Sequence, residues 1–207
     1  MYVSRINNSV PRTSGARKPL TGYYPTEEVL NILSKIEAET GDPTLRQSLH
    51  FSTGVISRIE RQMALGCSII ADSKLVYSGI NRELCSTMPI RVECFMDDPS
   101  VVNFATQKRT TRAEIAVERA LALPGPKLIV VGSAPMALNR LLQLHKQSPL
   151  REVCIIAAAN GFANIVELKE RIWESSLPCI VIRGRKGGAG SAIAITNALL
   201  ESAASKR

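Results

Sequence analysis

Two glycine turns about fifty residues apart carry the densest chemical information in the sequence. Gly132-Ser133-Ala134-Pro135-Met136-Ala137-Leu138 follows the apolar run Lys127-Leu128-Ile129-Val130-Val131. Arg183-Gly184-Arg185-Lys186-Gly187-Gly188 follows Cys179-Ile180-Val181-Ile182. A strand that ends in such a turn and restarts as a helix aims backbone N–H groups at one spot, and that spot receives carboxylate or phosphate. The second turn adds three cationic side chains and is followed by Gly190-Ser191 at a helix start. Together the turns predict a basic pocket for a polyanionic ligand. Ser133, Ala134 and Pro135 would form one wall, and Arg183, Gly184, Arg185, Lys186, Gly187 and Gly188 the other. The second turn is not a Walker loop, because Lys186 precedes its paired glycines and no Ser or Thr follows it at the magnesium position. Nor is it a dinucleotide fingerprint, since it closes the last strand and no ribose-binding acid follows.

Thr110-Thr111-Arg112-Ala113-Glu114 opens another helix, with Thr111 as its cap. An Arg in a first turn opposes the helix dipole, so Arg112 reads either as a ligand contact or as a solvated surface residue. Gly161-Phe162, after Ala157-Ala158-Ala159-Asn160, is a further turn beyond a strand. Its small residues either let a flat ligand approach the backbone or pack a helix closely. Histidine chemistry is sparse: His50 and His145 are the only two in the chain, and neither belongs to a metal-binding or nucleophile motif. No metal is expected. His145 ends a helix beside Lys146, where a cation suits the dipole. His50 lies just before the helix opened by Ser52 and is open to a structural or a catalytic reading.

The elements that must position these residues alternate. Strand-like runs at 67–71, 90–95, 127–131, 153–157 and 179–182 are separated by helical patterns near 73–83, 111–122, 136–146 and 163–174. Helices at 25–40 and 54–65 precede them and one at 191–204 follows. This spacing predicts a single three-layer α/β domain over 24–207, a mostly parallel sheet of about five strands with helices on both faces. Ligands of such sheets sit beyond the strands' carboxyl ends. Residues 1–23, rich in Asn, Ser, Pro, Gly, Arg and Lys, read as a mobile basic arm.

Across 207 residues, 45% are hydrophobic and 21% charged, enough apolar material for one substantial core. The net charge of +8 attracts anions of any kind, but only 4% of residues are aromatic. No basic run is interleaved with Phe or Tyr, so nucleic acid is not an expected partner. The five cysteines form no CxxC pair and read as reduced, buried thiols. No apolar run approaches the roughly 20 residues that cross a bilayer, and no secretory h-region opens the chain. A cytoplasmic protein with no membrane partner is expected.

In order, Phe51-Ser52-Thr53-Gly54, Ile69-Ile70-Ala71-Asp72, Gly79-Ile80, Thr111-Arg112-Ala113, Gly132-Ser133-Ala134-Pro135, Gly161-Phe162 with Glu167 and Lys169, and Arg183 to Gly188 resemble the precorrin-8X methylmutase, or precorrin isomerase, family of cobalamin biosynthesis. The likeness runs from about Phe51 to Leu200. It implies an α/β homodimer that binds a corrin precursor bearing many acetate and propionate groups and moves a methyl group from C11 to C12. No external cofactor is implied, and a histidine donates the assisting proton. Counting back from Phe51-Ser52, that histidine falls at Ala38, in Glu37-Ala38-Glu39-Thr40-Gly41-Asp42, where the Thr40-Gly41-Asp42 turn is kept. Ser133 stands where the family usually has Asn, and Ala159-Asn160 where it has Pro-Val. Val10 to Gly22 holds no counterpart of the family's substrate-touching arm. Two functions follow as expectations. One is a methylmutase acting on precorrin-8X or its cobalt form, with His50, Glu37 or Glu39 as substitute donors. The other is a noncatalytic tetrapyrrole carrier or regulator that kept the pocket and lost the donor. An unrelated anion-binding protein is a third and weaker reading, since fold alone never fixes function.

Overall fold

The computed structural model describes residues 26–206; the basic arm expected over 1–23 lies outside them. Helix α1 (Glu27–Thr40) starts where the Thr26 hydroxyl accepts the Val29 amide and Glu27 and Glu28 fill the first turn. It stops at Gly41, whose φ of 64° lets its N–H return to the Glu37 carbonyl. One turn of helix, α2 (Leu45–Ser48), leads into a three-residue strand, β1 (Leu49–Phe51), and then α3 (Val55–Leu65). The chain then alternates through β2 (Cys67–Ala71), α4 (Lys74–Gly79), α5 (Arg82–Ser86), β3 (Ile90–Glu93), α6 (Pro99–Lys108), α7 (Arg112–Leu121) and β4 (Lys127–Val131). It continues through α8 (Met136–Gln147), β5 (Val153–Ala157), α9 (Ala163–Glu174), β6 (Cys179–Ile182) and α10 (Ala189–Ser205).

The expected sheet of about five strands is six-stranded, in the order β1-β6-β5-β4-β2-β3. Five strands are parallel, and β1 runs antiparallel along β6, with His50 opposite Val181. His50 therefore sits on an edge strand, ahead of α3. The single helix expected over 73–83 is two, because Ile80 is extended and Asn81 caps the second by accepting the Leu84 amide. Helix α6, not anticipated, starts at Pro99 behind an Asp98 cap.

Strands β2, β4, β5 and β6 are buried at every position, which is what a sheet covered on both faces requires. Ile69, Leu128, Val130, Ile156, Ile180 and Ile182 pack with α1, α3 and α10, while Ile70, Ile129, Ile155 and Val181 pack with α7, α8 and α9. α10 carries Ala192, Ile195, Ala198, Leu199 and Leu200 at or near zero exposure, between the sheet and α1 and α3. Burying one such side chain stabilises by about 1.5–3 kcal/mol, so the start of α10 is fixed by its middle.

Candidate ligand site at the carboxyl end of the sheet

Within the parallel set, the chain winds from β2 outward to β3 in one direction and from β4 through β5 to β6 in the other. The gap between the ends of β2 and β4 is thus the topological switch point, where open α/β sheets hold ligands. Asp72 ends β2 there, and the Gly132 turn ends β4. The two turns singled out from sequence do meet: a Cβ on Gly132 would lie 2.8 Å from Ala189 Cα and 2.9 Å from Ala192 Cβ, so only glycine lets the β4 turn rest on the first turn of α10.

The amides of the β4 turn, however, are not open to a ligand. Gly132, Ser133 and Ala134 donate to one oxygen of Asp72 at 2.9, 2.6 and 2.5 Å. The expected anion cradle is filled from within by a 6% exposed carboxylate. Burial pushes that carboxyl up while the three N–H donors pull it down. What the β4 turn shows to solvent is the Ser133 hydroxyl, 3.2 Å from that of Ser73, together with Ala134 and Pro135.

The β6 turn is different. α10 starts at Gly188 with no side-chain cap, and the amides of Ala189, Gly190 and Ser191 meet no acceptor among the described residues. The Ser191 hydroxyl beneath them is buried without a partner. The turn itself is laced to the end of β5: Gly188 N–H donates to the Ala158 carbonyl at 2.5 Å, and Gly161 N–H to the Arg185 carbonyl at 3.1 Å. Gly161 also packs on α9, since a Cβ there would lie 2.3 Å from Ile165 Cδ1, which supports the helix-packing reading of that glycine.

Three of the four cations expected as ligand anchors have carboxylate partners. The Arg183 guanidinium holds Glu170 through Nε at 2.9 and 3.0 Å, which raises its own pKa further. Lys186 Nζ bonds Asp42 at 2.7 Å and the Thr44 hydroxyl, and holds the Asp42 carboxyl at about 2. This contact brings the Thr40-Gly41-Asp42 turn onto the β6 turn. Arg112, beyond β3, shares Asp97 with Lys74 at 3.1 and 2.7 Å. Thr111 and Glu114 form the capping box behind it. Arg185 is exposed and its side chain has no partner among the described residues.

Large apolar side chains stand exposed on the same rim: Phe162 at 81% beyond β5, Met136 beyond β4 and Leu75 beyond β2. Only Phe162 was read from the sequence; Met136 and Leu75 look like ordinary helix residues until the topology puts them at strand ends. Such a patch flanked by cations suits a flat ligand with anionic edges.

Among the described residues no histidine side chain is hydrogen-bonded to the β4 or β6 turn. His145 sits at the far end of α8, bonded to Ser176 and accepting the Leu150 amide through Nδ1. The His50 ring is 5.5 Å from Trp173, and burial with the nearby Arg183 charge lowers its pKa. Ala38 is exposed on α1, Glu37 is held by Arg46 at 2.9 Å, and Glu39 is exposed. The five cysteines are thiols, and burial pushes Cys67 up to about 12 and Cys154 to about 11, leaving both unreactive. Among the described residues no cluster of His, Cys, Asp and Glu has a metal-holding arrangement, and no helix is long and apolar enough to cross a membrane.

Fold and rim define a class: a doubly wound α/β domain with basic and exposed apolar side chains at its strand-end edge. The chain belongs to the precorrin-8X methylmutase family, whose sequence profile matches residues 17–202. A cobalt-precorrin-8 methylmutase of Salmonella typhimurium is 34% identical over 170 residues, 82% of this chain and 79% of that one. One of Leptospira interrogans is 34% identical over 143 residues, 65% of each chain. The precorrin-8X methylmutase structure from Thermus thermophilus superposes with a TM-score of 0.79 at 26% identity, covering 89% of this chain and 91% of that one.

Proposed function

We propose that the chain rearranges a methyl group from C11 to C12 of precorrin-8X or cobalt-precorrin-8, with the ligand seated on the strand-end rim. The family match over residues 17–202 is the observation that carries this reading. The rim supports it, because a corrin precursor is a flat macrocycle edged with carboxylates. Its face would lie on Phe162 and Met136. Its carboxylates would meet Arg185, the open amides at the start of α10, and Lys186 and Arg112 in exchange for Asp42 and Asp97. Thr40, Gly41, Ser133, Ala134, Pro135, Gly161 and Gly184 would complete the walls. The reaction is intramolecular and consumes no co-reactant. Losing a general acid costs about 10²- to 10⁴-fold, which leaves positioning to sustain a slower rearrangement. We place the protein in the cytoplasm as a homodimer; sedimentation velocity checks the assembly.

The test mixes purified protein with precorrin-8X and with the rearranged product, following the visible spectrum for turnover and pigment retention for binding. Conversion is expected. Retention without conversion would mean a carrier, and neither would remove the corrin reading.

A further inference from the structure

Lys169 is the largest fully buried side chain of the described residues, at 0% exposure on α9. Its Nζ donates to the Lys186 carbonyl at 2.9 Å, from underneath the Arg183–Gly188 turn. That turn has no slack on its other sides. Gly187 has a φ of 129° and lies so close to the end of β5 that a Cβ on it would come 2.0 Å from the Ala158 carbonyl oxygen, while Gly188 donates to the same oxygen. An ammonium enclosed with one carbonyl acceptor is an expensive arrangement for a mere prop, since an uncharged side chain fills the same volume at lower cost. What the charge adds is a positive potential against the Lys186 carbonyl, in the turn that leads to the open amides of α10 and in surroundings that screen it little.

We infer that Lys169 is a positioning residue for the reaction proposed above, a buried cation that shapes the β6 turn and sets the potential with which it receives a ligand carboxylate. The inference rests on the methylmutase reading for the identity of the ligand, but not for the effect on the turn. The charged and titratable groups around Lys169 are Glu170 beside it, Arg183 bonded to Glu170, the Lys186–Asp42 pair above the turn, and His50 facing Trp173 of the same helix. Asp42 is held at about 2 and His50 is lowered below 6.5, so neither changes charge above pH 7. Burial brings Lys169 down from 10.5 to about 8.

This produces two opposite pH trends. Deprotonation removes the potential under the turn, so corrin affinity falls as pH rises through about 8. The folded pKa lies below the unfolded one, so the unfolded chain binds more protons between about 8 and 10.5, and stability rises across that window. A residue that only props the turn would not weaken binding while the fold gains stability.

The experiment titrates the rearranged corrin product into wild type and Lys169→Met from pH 7 to 10, with urea unfolding and amide NMR of the ligand-free proteins over the same range. In wild type we expect affinity to fall about tenfold around pH 8 as stability rises, and the Gly187 and Gly188 amides to shift with that midpoint. The variant should bind weakly and independently of pH. Flat wild-type binding, or a variant that keeps the wild-type profile, overturns the inference; should the variant not fold, the wild-type curves still decide. Glycine amides that titrate in a protein binding no corrin would sink the methylmutase reading and leave Lys169 as the support of the turn, whereas unshifted amides would sink the inference itself.

Discussion

Arg185 and Lys186 are neighbours in sequence but differ in what a ligand must do to reach them. Arg185 projects freely, whereas Lys186 is already bonded to Asp42. A charge-assisted hydrogen bond is worth about 1.5–3 kcal/mol, so Arg185→Met should weaken corrin binding by roughly 10- to 100-fold in a pigment titration. Asp42→Asn should act the other way. It frees Lys186 from an exposed pair and should tighten binding by roughly two- to fivefold, the range expected of such pairs. The pairing also carries an acid signature: Asp42 is held at about 2 against an ordinary 3.8, so the contribution is present above pH 3.8 and is lost as pH falls through about 2. Catalysis should respond at Ala38, exposed on the helix that ends at the Thr40-Gly41-Asp42 turn. If it marks the place of the family's proton donor, Ala38→His raises turnover by 10-fold or more. An unchanged rate in a folded variant refutes that placement.

The ends of β2 and β4 are joined by one side chain, and its removal should be felt by the whole element. Asp72→Ala leaves three N–H groups without an acceptor, that of Gly132 buried and those of Ser133 and Ala134 part-buried, and a buried orphan costs about 1–3 kcal/mol. A loss of about 1–3 kcal/mol in urea unfolding is expected, with Asp72→Asn milder because an amide oxygen still accepts. This plug was not legible in the sequence: a Gly-Ser-Ala turn looks open until the topology places an aspartate sixty positions earlier beside it. The parallel strands and their helices were legible, because buried strands are continuous apolar runs and the helices between them keep a helical period. β1 was missed because three residues carry no period. α6 was missed although Asp98-Pro99 is a helix-start signal, since its outward positions Val102 and Phe104 are apolar and blur the pattern. On the site, Arg183 to Gly188 was read as a unit from its composition, but which of its cations were already taken required the fold.

Over the whole molecule, the net charge of +8 does not describe the local field a ligand meets at the rim, where Arg112, Arg183 and Lys186 each lie at contact distance from a carboxylate. What remains at the rim acts over roughly a Debye length, about 10 Å at 0.1 M salt. Corrin affinity should therefore weaken several-fold between 50 and 500 mM salt, measured by the same titration; salt-independent binding would mean that the carboxylates do not meet the cations. The filled β4 turn and the open β6 turn also divide the site in time. The wall made by Gly132, Ser133 and Ala134 is assembled when the chain folds, so its amides should exchange with deuterium slowly in the empty protein, whereas those of Ala189, Gly190 and Ser191 should exchange readily until a ligand arrives. The order needed on one side of the site is acquired once, at folding, and the ordering entropy of each binding event falls on the other side alone.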